Sequence, residues 1–221
     1  MASAETTQIF IDFEGNEKLP PTFLGVLERN ANQEIFRQFI FEDVFSVLTP
    51  SAQHPQLRLT TLVNVLQEIA DRHGHRVPIY AWSQHEQDVI DELLKGTKIA
   101  ESWAGRITDA KKLAKPWARK FHPNHKFEKT KRRGTHTLDQ YLAIVGYKVP
   151  SVHAAGKTGS RLTALRAALE SGRTPASWPP SLKKYWTNLL SHNRHDCYGM
   201  MALIDQIHLD SSADSGISII A

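Results

Sequence analysis

Three short motifs place acidic residues where acids are costly. The first is Asp12-Phe13-Glu14, at the end of Gln8–Glu14 (QIFIDFE), a run of β-branched and aromatic residues that predicts a strand. Residues i and i+2 of a strand face the same way, so Asp12 and Glu14 share one face while Ile11 and Phe13 share the other. Two carboxylates on an apolar strand are unfavourable unless they are solvated, paired or bound to a cation. The plainer reading is a strand end emerging into water before a turn at Gly15. The second motif is Glu86, in Pro78-Ile-Tyr-Ala-Trp-Ser-Gln-His-Glu86, just past a predicted parallel strand, where open α/β sheets gather their sites. Its plainer reading is an acid favoured by the helix dipole in a first helical turn. The third is Asp196, which recurs with Leu189, His192, Met200, Leu203 and Ile207 at helical spacing and so lies on an apolar stripe. Its plainer reading is a rim position, or a structural pair with His192.

Four carboxylates at one sheet edge suit two hard divalent cations, Mg²⁺ or Mn²⁺. Two such ions about 3.5–4 Å apart activate a water and stabilise the leaving oxygen of a phosphodiester. Competing chemistries are weaker. No pair of Cys-x-x-Cys motifs exists for structural zinc, and the eleven histidines form no His-x-x-x-His with a helical Glu. Gly156-Lys-Thr-Gly-Ser160 lacks the upstream glycine and preceding strand of a phosphate loop.

The elements that must position these acids are legible in outline. Strands are expected at Gln8–Glu14, Thr22–Leu27 and Glu34–Phe41, close enough together for an antiparallel meander. A helix is expected over Leu57–His73, stopped by Gly74, then a buried strand over Val77–Trp82 and a helix over Gln84–Leu94 capped by Ser83. A short strand around Arg106–Thr108 precedes another helix, Leu138–Val145 forms a short one, and a long helix runs from about Leu182 to His208. The strand–helix–strand crossover predicts a parallel pairing. The expected class is α/β: a mixed five-stranded sheet, three antiparallel strands then parallel ones, flanked by helices. One domain would cover 6–208, with a flexible tail over 209–221.

Composition agrees. The chain has 221 residues, 41% hydrophobic and 23% charged, which is globular and excludes disorder as the main state. No apolar run is long enough for a transmembrane helix, and Met1–Glu5 does not read as a signal peptide. The single cysteine, Cys197, fits a reducing cytoplasm. Net charge is +4, but residues 111–133 hold ten Lys or Arg against one acid, leaving the remainder acidic. A basic segment on an acidic body points to a polyanion, most simply nucleic acid; the alternative is a solvated loop.

The order of the acid motifs resembles the DEDD exonucleases of the ribonuclease H-like superfamily. The nearer likeness is to the predicted ribonuclease H-like nuclease domains found beside RecB-type nuclease modules, over about 8–208. Pro78-Ile-Tyr-Ala-Trp-Ser-Gln-His-Glu86 is similar to their second motif, which uses Glu, and His192-Asn-Arg-His-Asp196-Cys197 to their last. Thr137–Gly146 is similar to their short helix ending in glycine. His192 stands where one subgroup has tyrosine; the histidine subgroup has its histidine one residue earlier, at the position of Ser191 here. The basic stretch 119–133 is longer than the family's minimal core.

The resemblance implies a 3′–5′ exonuclease acting on DNA or RNA, in company with other nuclease or helicase modules. Asp12, Glu14, Glu86 and Asp196 would ligate two Mg²⁺ or Mn²⁺, His192 would orient or deprotonate the attacking water, and Asp109 would be a reserve ligand. Lys126, Lys129, Lys131, Arg132 and Arg133 would hold phosphates of a single-stranded 3′ end. Trp82, Trp103 or Trp117 could stack a terminal base. The rival readings are a non-catalytic nucleic-acid-binding module and a structure-selective endonuclease of the same fold.

Overall fold

The alternation in the first strand decides how the molecule is layered. In the computed structural model, which describes residues 7–15, 20–49, 56–74, 76–129, 135–150 and 158–214, β1 (Gln8–Glu14) sits inside the sheet. It pairs antiparallel with β2 (Phe23–Asn30) and parallel with β5 (Ile79–Ala81). β3 (Gln33–Ile40) continues the meander beyond β2, and β6 (Ile107–Asp109) lies parallel to β5. A sixth strand, β4 (Leu57–Leu59), lies parallel to β3, so the order is β4-β3-β2-β1-β5-β6. The expected five-stranded sheet is therefore one strand short.

β4 was expected as the first turn of a helix. Thr61 instead caps that helix, α1 (Leu62–His73), by accepting a hydrogen bond from the Asn64 amide at 3.2 Å, and the residues before it pair with β3. Gly74 closes α1 in the left-handed region at φ 69°, as expected. After β5 comes α2 (Gln84–Leu94), with Ser83 as its cap, then the short α3 (Ala100–Trp103).

One sheet face carries Ile9, Ile11, Leu24 and Val26 against Leu66 and Ile69 of α1 and Ile90 and Leu94 of α2. The other face carries Phe10, Leu27 and Tyr80. It packs on α4 (Ala110–Phe121), α5 (Leu138–Ile144) and α7 (Pro180–Asp214). Asp12 and Glu14 share this second face with Phe10, the parity expected of β1. Phe23 and Ile40 pack on the start of α7 and on α6 (Thr158–Glu170), a helix the sequence reading did not anticipate.

α7 has 35 residues, so it spans about 50 Å, and it packs on β1 and β2 at the centre of the sheet. It runs on through Asp214, past the His208 boundary where a tail was expected; residues 215–221 lie outside those described. Its position is held at both ends of β1. Arg29 of β2 donates to Asp205 of α7 and to Gln8, and Asn193 of α7 meets Asp12. No helix among the described residues is long and apolar enough to cross a membrane.

Candidate active site

The site begins with one row across the sheet. Strand register places Gly25 opposite Asp12, and Gln38 opposite Gly25. The row is covered by Asn193 of α7, which is fully buried. Asn193 Nδ2 donates to both the backbone carbonyl and the Oδ2 of Asp12, each at 2.8 Å. Gln38 Nε2 donates to Asn193 Oδ1 at 2.9 Å and to the Leu190 carbonyl at 3.0 Å. The middle residue of the row must be glycine. A Cβ on Gly25 would stand 2.2 Å from Asn193 Oδ1, and Asn193 is held from two sides. Gly25→Ala should therefore destabilise the fold by about 1–3 kcal/mol, the usual cost of overpacking, and loosen Asp12. A denaturant melt at wild-type stability would show that Asn193 moves aside freely.

Asn193 and Cys197, both fully buried, mark the centre of the α7 stripe. Asp196 and His192 flank that centre, so the expectation that Asp196 lies on the stripe is corrected to its edge. At this edge His192 stands between two acids. Its Nδ1 is 3.6 Å from Asp196 Oδ1, and its Nε2 is 3.9 Å from Glu14 Oε1. Asp196 keeps 23% of its side chain exposed and His192 14%, so the site opens to solvent here.

Burial is the largest influence on the inner acids. It pushes the Asp12 carboxyl well above its ordinary range, and the charges of Glu14, Asp196 and Glu86 push it further; only the Asn193 amide draws it down. Glu14 is likewise raised, by burial and then by Asp196, and is drawn down by the Thr158 hydroxyl and the charge of Arg161. Both come from α6, so this unanticipated helix partly balances the second acid. Glu14 Oε1 is a buried acceptor with no hydrogen-bond donor among the described residues. The buried Cys197 thiol is also raised, first by burial and then by Asp12, Asp196 and Glu14, which favours its protonated form.

Glu86 combines its two readings. Its Oε2 accepts from the Ser83 amide at 3.1 Å and the Ser83 hydroxyl at 3.0 Å, closing the capping box of α2. It is buried, and burial raises its carboxyl, while its charge still bears on Asp12. Among the described residues no three ligating side chains stand close enough together to hold an ion as they are placed. The donor set is nonetheless suited to a hard cation: four carboxylates, three of them raised by burial, with one buried oxygen lacking a donor.

The remaining expected residues lie apart. Asp109 ends β6 and caps α4, accepting from the Lys112 amide at 3.1 Å. Trp103 and Trp117 are buried core and offer no stacking face, while the half-buried Trp82 packs on Tyr141 at 5.4 Å. Lys126 and Lys129 are exposed beyond α4. Lys131, Arg132 and Arg133 fall outside the described residues.

Asn193, Thr158 and Arg161 were not anticipated. Asn193 stood in the sequence only as part of His192-Asn-Arg-His-Asp196-Cys197, the stretch similar to the family's last motif, with no role attached to it.

Comparison of the chain with family models, curated proteins and solved structures finds no match.

Proposed function

We propose that this chain is a metal-dependent nuclease of ribonuclease H-like fold that hydrolyses phosphodiester bonds of DNA or RNA from a 3′ end. The observation that carries the reading is buried Glu14 and half-buried Asp12 on one face of β1, with Asp196 beside them and His192 between Glu14 and Asp196. Such a group is costly to bury and has no structural role that an apolar cluster would not fill better, so it is a functional-site candidate. The inner strands β3-β2-β1-β5-β6, three antiparallel and then two parallel, support the fold reading.

Asp12, Glu14, Glu86 and Asp196 would hold two Mg²⁺ or Mn²⁺. When bound, such ions supply an activated water and stabilise the leaving oxygen. The protein's own part is positional. Asn193 fixes the Asp12 carboxylate against the sheet, and Thr158 and Arg161 do the same for Glu14. Ser83 holds Glu86 through Oε2 alone and so orients its carboxylate at the start of α2. His192, at the solvent edge, takes the proton of the attacking water. Exposed Lys126 and Lys129 lie on a basic segment that would hold phosphates.

The test is cleavage of a 5′-labelled single strand, as DNA and as RNA, with Mn²⁺ and with chelator, beside a circular strand of the same sequence. The expected result is metal-dependent shortening from the 3′ end, with the circle intact. A cut circle would make the chain an endonuclease. Undiminished cleavage in chelator, or none with either metal, would end the reading.

A further inference from the structure

Away from the acids, on the C-terminal half of α4, lies a cavity of about 380 Å³. Its lining joins Lys115 and Arg119 of α4 to His122, His125, Phe127 and His136 from the chain that follows, and includes no carboxylate. The volume lies within the range of small-ligand sites.

The wall is built. Phe127 packs its ring 4.7 Å from His125, 4.4 Å from His136 and 4.7 Å from Tyr141. Gln140 accepts from the His136 amide at 2.9 Å and donates to the Glu128 carbonyl at 2.7 Å, tying the two sides together. His136 is bonded to the Tyr141 hydroxyl at 2.7 Å. It is also the one non-glycine among the described residues in the left-handed region, at φ 64°. That conformation is unfavourable for a histidine and persists only where surrounding contacts demand it.

Two exposed cations one helical turn apart, beside a wall of rings, have a specific chemical complement. Inorganic phosphate would use the cations and leave the rings idle. A transition metal would want the imidazoles, but no three ligating side chains stand together among the described residues. We infer that this cavity binds one phosphorylated nucleoside, its base against Phe127 and the imidazoles and its phosphate on Lys115 and Arg119. The nucleotide is either free or one unit of a strand. The strand form rests on the nuclease reading; the chemistry of the cavity does not.

The test is calorimetric binding to the full chain in chelator, where no turnover occurs. The probes are a nucleoside monophosphate, inorganic phosphate, a single-stranded oligonucleotide and a polyglutamate peptide. Phe127→Leu should weaken the oligonucleotide or mononucleotide by about tenfold, within the range of one lost stack, and leave the salt slope unchanged. Arg119→Gln, at an exposed position, should weaken binding and reduce the oligonucleotide's salt slope by about 0.7, one phosphate contact. Mononucleotide binding alone assigns a free ligand; tighter binding of the oligonucleotide, lost in both variants, assigns a strand. The inference is overturned if Arg119→Gln binds as wild type, if inorganic phosphate binds as well as the mononucleotide, or if polyglutamate competes equally. Metal-dependent cleavage is scored separately, so loss of the nuclease reading and loss of this site are distinct outcomes.

Discussion

Asp12→Asn abolishes metal-dependent cleavage and leaves the metal-free protein at least as stable as wild type. The amide removes a ligand charge but keeps an oxygen where Asn193 Nδ2 donates, so the row across the sheet survives. Stability follows from linkage. The folded Asp12 carboxyl is raised, first by burial and then by Glu14, Asp196 and Glu86, above its value in the unfolded chain. Below the unfolded value of about 3.9 both states are protonated and the group costs nothing. As pH rises toward the folded value, the unfolded state releases its proton first, and wild type loses stability that Asp12→Asn keeps. The melting temperatures should therefore begin to separate above about pH 4, with the gap widening as pH rises toward the raised value of the folded carboxyl. Mn²⁺ should close the gap by binding only the folded wild type, by about 2.7 kcal/mol at a hundredfold excess over its dissociation constant. A gap that narrows as pH rises, or full activity in the variant, would show Asp12 to be a structural acid.

His192→Ala lowers turnover by about 10²–10⁴-fold, the usual weight of a general base, while His195→Ala does not. The two residues lie three apart on α7, yet their surroundings differ. His192 stands between Asp196 and Glu14 at the solvent edge. His195 pairs through Nδ1 with the Tyr147 hydroxyl at 3.1 Å. If His192 only fills space beside Asp196, the variant melts earlier but its folded fraction turns over at the wild-type rate. Measuring turnover against folded fraction separates the two outcomes.

The parts of this protein that were legible in the sequence are those decided over a few residues. Alternation along Gln8–Glu14 determined that Asp12 and Glu14 share a face, because a strand's period of two admits no other arrangement. Ser83 and Gly74 announced a helix start and a helix stop, because capping is local hydrogen bonding. β4 was not legible, since three residues look the same as the first turn of the helix behind them until β3 offers them partners. α6 was hidden because its buried Leu162, Leu165 and Ala168 are interrupted by Arg161 and Arg166. Only tertiary structure decided which residue of α7 faces the sheet. Spacing admitted His192 and Asp196 to the stripe, but rotation about a helix axis is set by what it packs against. The space above Gly25 admits Asn193, whose bonds to Asp12 join residues 181 positions apart. The same rotation leaves His192 and Asp196 at the edge, mostly covered but open to solvent on one side, where a substrate could reach them.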